Sequence, residues 1–315
     1  DIGVKGGLIA EVGRVTSPAH RVIRADGALL TPGFIDPHTH YDGQAMWDQE
    51  LLPSCRHGVT TAFLGNCGVG FAPLLPGKQQ DLITLMTGVE DVPGEVLNAG
   101  LDWRWRSFPD YLDRLSERQW TIDIATQITH DPVRIYVMGE RGMRREIATD
   151  EDIEAMQKVV SGALSAGAFG FSTGRNDQHR MADGRDTPAS LASAKELCGI
   201  ASSLRDHGHR ILQLTSDLDM SAGPQGFESE FQLIEEMAAA AGRPVCLNLV
   251  QRPNDSDQWR AIMKRAIEDN ERGIKIVLQV APRAVGVLMV FSSSFHPFVA
   301  HASFQAIAHL RTEDR

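Results

Sequence analysis

From Thr31 onward the sequence alternates short apolar stretches with longer amphipathic ones, and this alternation constrains the fold more than any other feature. Each strand-like stretch is followed by a loop and then by apolar residues at three-to-four spacing, which is typical of a helix. Strands that alternate with helices form parallel sheets, and about seven such units favour a closed barrel over an open sheet. The sequence therefore predicts an α/β protein, an incomplete (β/α)8 TIM barrel of about seven strands.

The predicted strands lie at 33–36, 59–64, 122–128, 168–172, 211–215, 244–250 and 274–280, and the predicted helices at 151–166, 190–206, 227–241 and 258–272. Thr149 is expected to cap the first of these helices. Two long loops, 65–100 and 173–188, each follow a strand, so we expect both at the C-terminal rim, where barrel sites are built. An eighth strand would lie beyond Arg315, and we expect this sequence to be a fragment.

The first 30 residues have a different pattern. Apolar and polar positions alternate on either side of Gly6-Gly7, and short apolar pairs recur at 22–23 and 28–30. This pattern predicts short strands and a hairpin with a glycine turn, already under way at Asp1. The predicted domains are a strand segment at 1–30 and a barrel at 31–315, the second truncated before its eighth strand.

Composition excludes several classes of protein. The formal net charge of −10 argues against a general nucleic-acid surface. No run of about 18 apolar residues is present, so no membrane-spanning helix is expected. The four cysteines, Cys55, Cys67, Cys198 and Cys246, form no CxxC pair, and no signal peptide is visible. We therefore expect a cytoplasmic protein with its thiols free or metal-bound.

Two histidines follow the first predicted barrel strand. His38 and His40 have i, i+2 spacing, which places both imidazoles on one face of an extended chain. Two neighbouring imidazoles are a metal-ligand pattern, although the motif is short. The alternative is that two of the 11 histidines have fallen together by chance on a polar loop.

Two longer motifs resemble a known family. The stretch Pro32-Gly33-Phe34-Ile35-Asp36-Pro37-His38-Thr39-His40 resembles the PGFIDxHxH signature that opens the catalytic barrel of the amidohydrolase superfamily. Gly65-Asn66-Cys67-Gly68 resembles the GNCG segment of the N-acyl-D-amino-acid deacylase (D-aminoacylase) branch, in which the cysteine is a metal ligand. The resemblance implies a metal-dependent hydrolase whose substrate is a small molecule, an N-acylated amino acid or a related amide. It would cleave a non-peptide amide C–N bond and release a carboxylate and a D-amino acid. It also implies that residues 1–30 are part of a small β-sandwich.

The resemblance implies that His38, His40 and Cys67 bind metal. Imidazole and thiolate donors favour zinc over calcium or magnesium, so we expect one or two zinc ions. The alternative for Cys67 is a small buried apolar side chain, the usual place of a free cysteine.

Further residues of the branch's site are missing from their expected positions. The branch has histidines at the ends of strands five and six, and an aspartate after strand eight that serves as ligand or general base. Here strand five leads into Asp217 and strand six into Asn248, with no histidine at either end. His207 and His209 precede strand five, which places them at the opposite end of the barrel. The catalytic residue is therefore unidentified, and the expected aspartate lies beyond Arg315.

Four other residues at strand ends are site candidates. Asp217 and Asn248 are candidates for contact with metal or substrate, or are turn and cap residues. His130, at the end of strand three, is a candidate catalytic residue that polarises a carbonyl, or caps the next turn. Arg175, after strand four, would suit a substrate carboxylate, or is an exposed loop arginine.

Three alternative functions remain open. A hydantoinase-like cyclic-amide hydrolase would need a metal-bridging lysine at the end of strand four, where this chain has Ser172-Thr173-Gly174. A catalytically inactive ligand-binding barrel would account for the missing histidines of strands five and six. The third is a single metal held by fewer protein ligands, with water or substrate completing its coordination.

Overall fold

A computed structural model of the chain describes residues 1–176, 178–218, 223–251, 255–282, 286, 296–298, 301–311 and 314. The chain divides into two compact units, Asp1–Gly33 and Phe34–Arg315, and each is described by itself.

The first unit contains one antiparallel hairpin, formed by β1 (Ile2–Lys5) and β2 (Leu8–Val12). Gly6 and Gly7 form its turn with φ angles of +60° and +78°, which glycine adopts without steric cost. The predicted hairpin is confirmed. The strands predicted at 22–23 and 28–30 are wrong, because these residues pair with no strand within the unit. That the hairpin belongs to a β-sandwich stays a prediction.

The second unit is built on parallel strands that follow one another in sequence order. They are β3 (Phe34–Asp36), β4 (Val59–Leu64), β5 (Asp123–Thr126), β6 (Ile128–Thr129), β7 (Gly170–Arg175), β8 (Ile211–Ser216), β9 (Val245–Asn248) and β10 (Ile276–Gln279). Every adjacent pair is parallel, in the order β3-β4-β5 and β6-β7-β8-β9-β10. This arrangement confirms the predicted incomplete barrel.

Strands β5 and β6 are two halves of the third barrel strand, interrupted at Gln127. The Gln127 N–H donates to the Leu64 carbonyl at 3.1 Å, and the Phe169 N–H donates to the Thr126 carbonyl at 2.8 Å. These bonds tie the interrupted strand to its neighbours on both sides, so the two sheets join into one run of seven barrel strands. The predicted strand 122–128 was continuous, whereas the structure breaks it where the Gln127 side chain turns to Asn66.

Helices connect the strands. They are α1 (Leu52–Cys55), α2 (Gln79–Glu90), α3 (Gly94–Gly100), α4 (Phe108–Ser116), α5 (His130–Met138), α6 (Glu140–Met143), α7 (Asp150–Ala166), α8 (Ala194–Ser202), α9 (Gly223–Ala241), α10 (Gln258–Glu271) and α11 (Ala302–Ile307). A short 3-10 helix covers Gln44–Met46. Among the described residues, no helix combines the length and apolarity needed to cross a membrane.

Helix α7 shows how the sequence specifies these elements. Thr149 Oγ1 accepts from the Asp152 N–H at 3.2 Å, and the Asp152 carboxylate accepts from the Thr149 N–H at 2.9 Å. This reciprocal capping box satisfies two backbone donors at the start of the helix and confirms the predicted cap. Ile153, Met156 and Val160 then follow at helical spacing and are buried against the sheet side.

Three predictions need the largest corrections. Helix α8 covers Ala194–Ser202, which is shorter at both ends than the predicted 190–206, and the Ser193 hydroxyl caps its start. The stretch 65–100 was predicted as a loop, but α2 and α3 lie within it. Pro73 and Pro76 precede α2, and Pro93 lies between the helices, so the prolines separate the helices instead of preventing them. Strand four continues past its predicted end to Arg175, because β8 pairs with it along that whole length.

Candidate metal centre

His38 and His40 are held in place by the residue between them. The Thr39 N–H and hydroxyl both donate to the Phe63 carbonyl of β4, at 3.0 and 2.7 Å. The Thr39 carbonyl accepts from Asn66 Nδ2 at 3.1 Å. Because Thr39 is turned towards β4, its two neighbours are turned away from it together. Their imidazole rings lie 5.3 Å apart, centroid to centroid.

Cys67 lies on a tight bend that follows β4. Gly65, Cys67 and Gly68 have φ angles of +74°, +57° and +80°. A Cβ at Gly65 would lie 2.2 Å from the Gln127 carbonyl oxygen, and one at Gly68 would lie 2.9 Å from the Gly174 nitrogen. Glycine suits both positions, because each has a left-handed backbone and close contact with another strand: Gly65 with the third barrel strand at Gln127, and Gly68 with β7. The bend therefore presses Cys67 towards the strand ends.

These two segments bring three potential metal ligands together. One ring nitrogen of His38, one of His40 and the sulfur of Cys67 all lie within 4.8 Å of one another. His38 Nε2 is 3.1 Å from Cys67 Sγ. Two imidazoles and a thiol suit zinc, and three protein ligands with an open position are the usual form of a catalytic zinc site.

The surroundings of His40 also fit a metal ion. Its Nε2 lies 3.2 Å from Glu90 Oε1, at the end of α2. Its Nδ1 is buried and has no hydrogen-bond partner among the described residues. Leaving a buried polar atom unpaired costs about 1–3 kcal/mol, so an additional group is expected beside this nitrogen.

Amide and hydroxyl groups from β8, β9 and β10, which are barrel strands five, six and seven, complete the opposite side of the centre. Gln213 Oε1 accepts from the Cys67 N–H at 2.8 Å, and the Thr215 hydroxyl lies 3.2 Å from Cys67 Sγ. Asn248 Nδ2 donates to Thr215 Oγ1 at 2.9 Å, and Gln279 Oε1 lies 3.3 Å from His38 Nδ1. Asn248, a sequence candidate, is thus in the network. Strand periodicity could have identified Gln213 and Thr215, which share one face of β8.

Burial keeps the imidazoles neutral. It lowers the pKa of His38, an effect opposed by the hydrogen bond that the imidazole donates to Gln279 Oε1. Burial lowers the pKa of His40 much further, and the nearby charges of His38 and then His179 add to this. Burial also raises the pKa of the Cys67 thiol. Without a cation this thiol stays protonated, whereas a bound metal ion favours the thiolate.

Two buried carboxyl groups lie near the three ligands. Burial, followed by the charge of Asp42, raises the pKa of Glu90 to about 8. Burial likewise raises the pKa of Asp42 to about 7. Asp42 Oδ2 is buried without a recorded hydrogen bond among the described residues. Without a cation these two carboxyl groups are therefore largely or partly neutral near pH 7, and a nearby cation would favour their ionised forms.

The structure adds His179, which the sequence did not single out. It lies in the loop after β7, and its Nδ1 is 3.8 Å from where a Cβ on Gly174 would sit. The Cys67 carbonyl oxygen is 2.5 Å from the same point. Burial, and then the charge of His38, lower the pKa of His179 to about 4. Its only sequence signal was its place in a long rim loop.

His130 lies deeper than the sequence suggested. It is the first residue of α5, is completely buried, and its Nδ1 lies 2.9 Å from Thr173 Oγ1. Its Nε2 lies 3.1 Å from Glu196 Oε1, which also pairs with Arg134. With both nitrogens engaged inside the protein, His130 is placed for a structural role, and the geometry does not favour the catalytic one.

The two remaining candidates lie at the ends of β7 and β8. Arg175 donates from Nε and Nη2 to the two Glu230 oxygens, at 2.7 and 3.1 Å, and from Nη1 to the Ala192 carbonyl at 3.0 Å. This arrangement does not favour binding of a substrate carboxylate by Arg175. The Asp217 N–H donates to the Arg175 carbonyl at 3.1 Å, so Asp217 continues the pairing of the two strands.

Comparisons with known proteins agree with this geometry. The Amidohydrolase family model matches residues 21–298. D-aminoacylase of Alcaligenes xylosoxydans xylosoxydans is 32% identical over 209 residues, covering 66% of this chain and 38% of that protein. N-acyl-D-aspartate deacylase of the same organism is 34% identical over 206 residues, covering 65% and 37%. The chain thus spans less than two fifths of these relatives' length.

A solved structure shares the fold of this chain. It is a D-aminoacylase that was solved to study the functional role of its binuclear metal centre. It aligns with this chain at a TM-score of 0.70 and 26% identity. The alignment covers 90% of this chain and 54% of that one.

Proposed function

Because the chain belongs to the amidohydrolase family, we propose that its protein is a metal-dependent hydrolase of N-acyl-D-amino acids. The single observation that carries this proposal is the cluster of His38, His40 and Cys67 at the ends of the first two barrel strands. The names of two relatives, D-aminoacylase and N-acyl-D-aspartate deacylase, support the substrate class. The bond cleaved is the amide C–N bond between the acyl group and the amino acid.

The proposed cofactor is zinc, as one or two ions, held by His38, His40 and Cys67. A bound zinc ion supplies Lewis acidity and lowers the pKa of water towards neutrality. The binuclear centre of the D-aminoacylase structure supports a metal at this place. Burial holds the carboxyl groups of Glu90 and Asp42 partly or largely neutral near pH 7, and a bound divalent cation would favour their ionised forms.

The chain's own residues have separate tasks in this proposal. Gln213 fixes the backbone of Cys67, and Gln279 fixes the ring of His38. His179 is neutral around pH 7 because its pKa is about 4. A neutral imidazole at the rim can donate a hydrogen bond to the substrate carbonyl without introducing a charge. The proton-transferring aspartate implied by the family resemblance stays a prediction for sequence beyond Arg315.

The alternatives differ in their support. The hypothesis of a hydantoinase-like reaction has less support, because that reaction would need a metal-bridging lysine at the end of β7. The residues there are Ser172, Thr173 and Gly174. An inactive ligand-binding barrel is the second candidate function. Its specific support is that strands five and six offer Thr215 and Asn248 where the branch has histidines. Thr215 contacts Cys67 Sγ, and Asn248 donates to the Thr215 hydroxyl.

Zinc content and hydrolysis, measured together on the full-length protein, test the proposal. We expect about one or two zinc ions per chain and release of the amino acid from N-acetyl-D-amino acids in preference to the L enantiomers. Cys67→Ala should lose both. Cys198→Ala is the matched control, because Cys198 lies on the outer helix α8.

Two results would contradict the proposal. Absence of zinc from the wild-type protein would remove the metal mechanism. Bound zinc without hydrolysis of any N-acyl amino acid would favour the ligand-binding barrel instead.

A further inference from the structure

Helix α5 carries two buried charged side chains beside the segment 178–190, which follows β7 and includes His179. Asp131 and Arg134 are each only 1% exposed. Burying a charged group is costly unless it is paired or hydrogen-bonded, so the contacts of these two side chains show what they hold in place.

Asp131 joins two parts of the site. Its N–H donates to the Gly68 carbonyl at 2.9 Å, in the bend that carries Cys67. Its Oδ1 accepts from the Ala189 N–H at 2.6 Å, and this hydrogen bond is buried. Because buried backbone N–H groups are rarely left without an acceptor, this bond fixes the position of Ala189 relative to the bend.

Arg134 binds the residue before Ala189. Its Nη1 donates to the Pro188 carbonyl at 2.5 Å, and its Nη2 donates to the Glu146 carbonyl. Its Nε lies 3.1 Å from Glu196 Oε1, in an ion pair that balances the buried charge of the guanidinium. Two consecutive residues of the segment are therefore bound by side chains one helical turn apart on α5.

The segment itself connects these contacts to His179. Arg180 and Asp186 form an antiparallel bridge, and Arg180 Nη1 donates to Asp186 Oδ1 at 2.6 Å. The Met181 N–H donates to the Arg185 carbonyl at 2.8 Å. The segment therefore folds back on itself, and the chain after Asp186 returns beside the chain before Arg180, where His179 lies.

We propose that Asp131 and Arg134 are positioning residues that hold His179 beside the metal centre by binding residues 188–189 of the segment. Because the Asp131 N–H also binds the bend that carries Cys67, the bend and the segment are attached to the same turn of α5. The inference rests on the proposed function in one respect, since that proposal gives His179 its contact with the substrate carbonyl.

The segment has further attachments that do not involve α5. The Ala182 N–H donates to the Thr84 carbonyl of α2 at 3.0 Å, and the His179 N–H donates to Asn176 Oδ1 at 2.8 Å. These bonds remain when a side chain of α5 is truncated. We therefore expect such variants to fold, and to lose order in the segment without losing the barrel.

Substitution of Asp131 by asparagine separates the hydrogen bond from the charge. Burial raises the pKa of Asp131 to about 7, so its carboxyl group is already partly neutral near that pH. The side-chain oxygen of asparagine can also accept from the Ala189 N–H. Asp131→Asn should therefore keep the attachment of the segment, whereas Asp131→Ala removes it.

The first experiment measures amide hydrogen exchange in the full-length protein as purified. Asp131→Ala should speed exchange in the segment 178–190 by about 10-fold or more, and Asp131→Asn should restore slow exchange. Arg134→Lys keeps the charge but loses the guanidinium fork, so it should also speed exchange there. Unchanged exchange in folded Asp131→Ala would overturn the proposal.

Asp110→Ala is the matched control for this measurement. Asp110 also accepts backbone N–H groups at the start of a helix, those of Arg106 and Ser107 at 3.1 and 2.9 Å. It lies on α4 and makes no recorded contact with the segment 178–190. Exchange in that segment should stay as in the wild type. An equal increase in this control would show a general loss of stability and would overturn the proposal.

The second experiment tests whether Asp131 acts through His179. Asp131→Ala should keep its zinc and its KM but lower kcat about 10-fold, because the contact of His179 with the carbonyl matters most in the transition state. In a His179→Asn protein the same substitution should lower kcat little further, since the residue that it positions is gone. Additive losses in the double variant would overturn the proposal.

The two proposals fail in distinguishable ways. Wild-type protein without zinc or hydrolysis contradicts the proposed function, and the exchange measurement then decides this inference by itself. Active wild-type protein whose segment exchanges equally slowly in Asp131→Ala contradicts only this inference. If Asp131→Ala does not fold, exchange in Arg134→Lys decides.

Discussion

The two sides of the candidate site differ in the chemistry of their side chains. The ends of strands one and two provide His38, His40 and Cys67, which are metal-binding groups. Strands five to seven provide neutral amides and a hydroxyl. Gln213, Thr215 and Gln279 contact Cys67 or His38, and Asn248 donates to Thr215. One side is thus suited to binding the ion, and the other to holding the ligands in position.

The backbones of the two sides differ as well. Cys67 lies between Gly65 and Gly68 on a left-handed bend, whereas Gln213 and Asn248 lie within regular parallel strands. The bend tolerates few residue types because its backbone contacts the neighbouring strands closely. A regular strand end accepts many polar residues. The difference teaches that the side carrying the ligands is also the side whose sequence is most constrained by its backbone.

The largest effect on stability is expected from a substitution in the bend around Cys67. Gly65→Ala combines a positive φ with a Cβ 2.2 Å from the Gln127 carbonyl oxygen, and should reduce the free energy of unfolding by about 2–5 kcal/mol. Gly77→Ala is the control, because Gly77 has φ +85° but no atom within 4 Å of its Cβ position. Urea denaturation of both variants measures the difference. Equal losses would show that close contact does not constrain the bend.

An intermediate effect on stability is expected from a substitution at Gln213, on the side of the site that holds the ligands in position. Gln213→Ala leaves the buried Cys67 N–H without its acceptor, which should cost about 1–3 kcal/mol of stability and weaken zinc binding. Gln232→Ala, which removes an exposed amide of α9, should change neither. If Gln213→Ala binds zinc as tightly as the wild type, the holding role of this side is contradicted.

The smallest expected effect concerns His179, which comes from the loop between the two sides. Burial lowers its pKa from 6.5 to about 4, so the folded state takes up a proton less readily than the unfolded state. Stability therefore decreases as pH falls from 6.5 towards 4. His179→Asn should make this decrease shallower in metal-free protein, as measured by thermal unfolding across that range. An unchanged pH dependence would place His179 in a solvated environment.

Local sequence patterns predicted much of this arrangement. The β-branched run of β4 gave its bounds, 59–64, without error, and the HxH and GNCG motifs identified all three clustered donors. Glycine and histidine identities were informative here because short-range backbone geometry and ligand spacing are local properties.

The missed features depend on contacts between distant parts of the chain. His38 and Gln279 meet across 241 positions, and nothing in the sequence near either residue indicates the other. Glu90 was missed because the stretch 65–100 was predicted as a loop, whereas Glu90 is the last residue of α2. His130 was correctly placed at a strand end, but its complete burial against Glu196 follows from how α5 and α8 pack.

The positions of His38 and His40 depend on the contacts of Thr39 with β4. Strand β3 is short, and its Phe34 and Ile35 are 58% and 64% exposed, so it is weakly anchored on its own. Thr39 instead attaches the HxH segment to the Phe63 carbonyl of β4, the strand that also leads to Cys67. All three donors are therefore attached to β4. A displacement of β4 would move them together and preserve the distances between them.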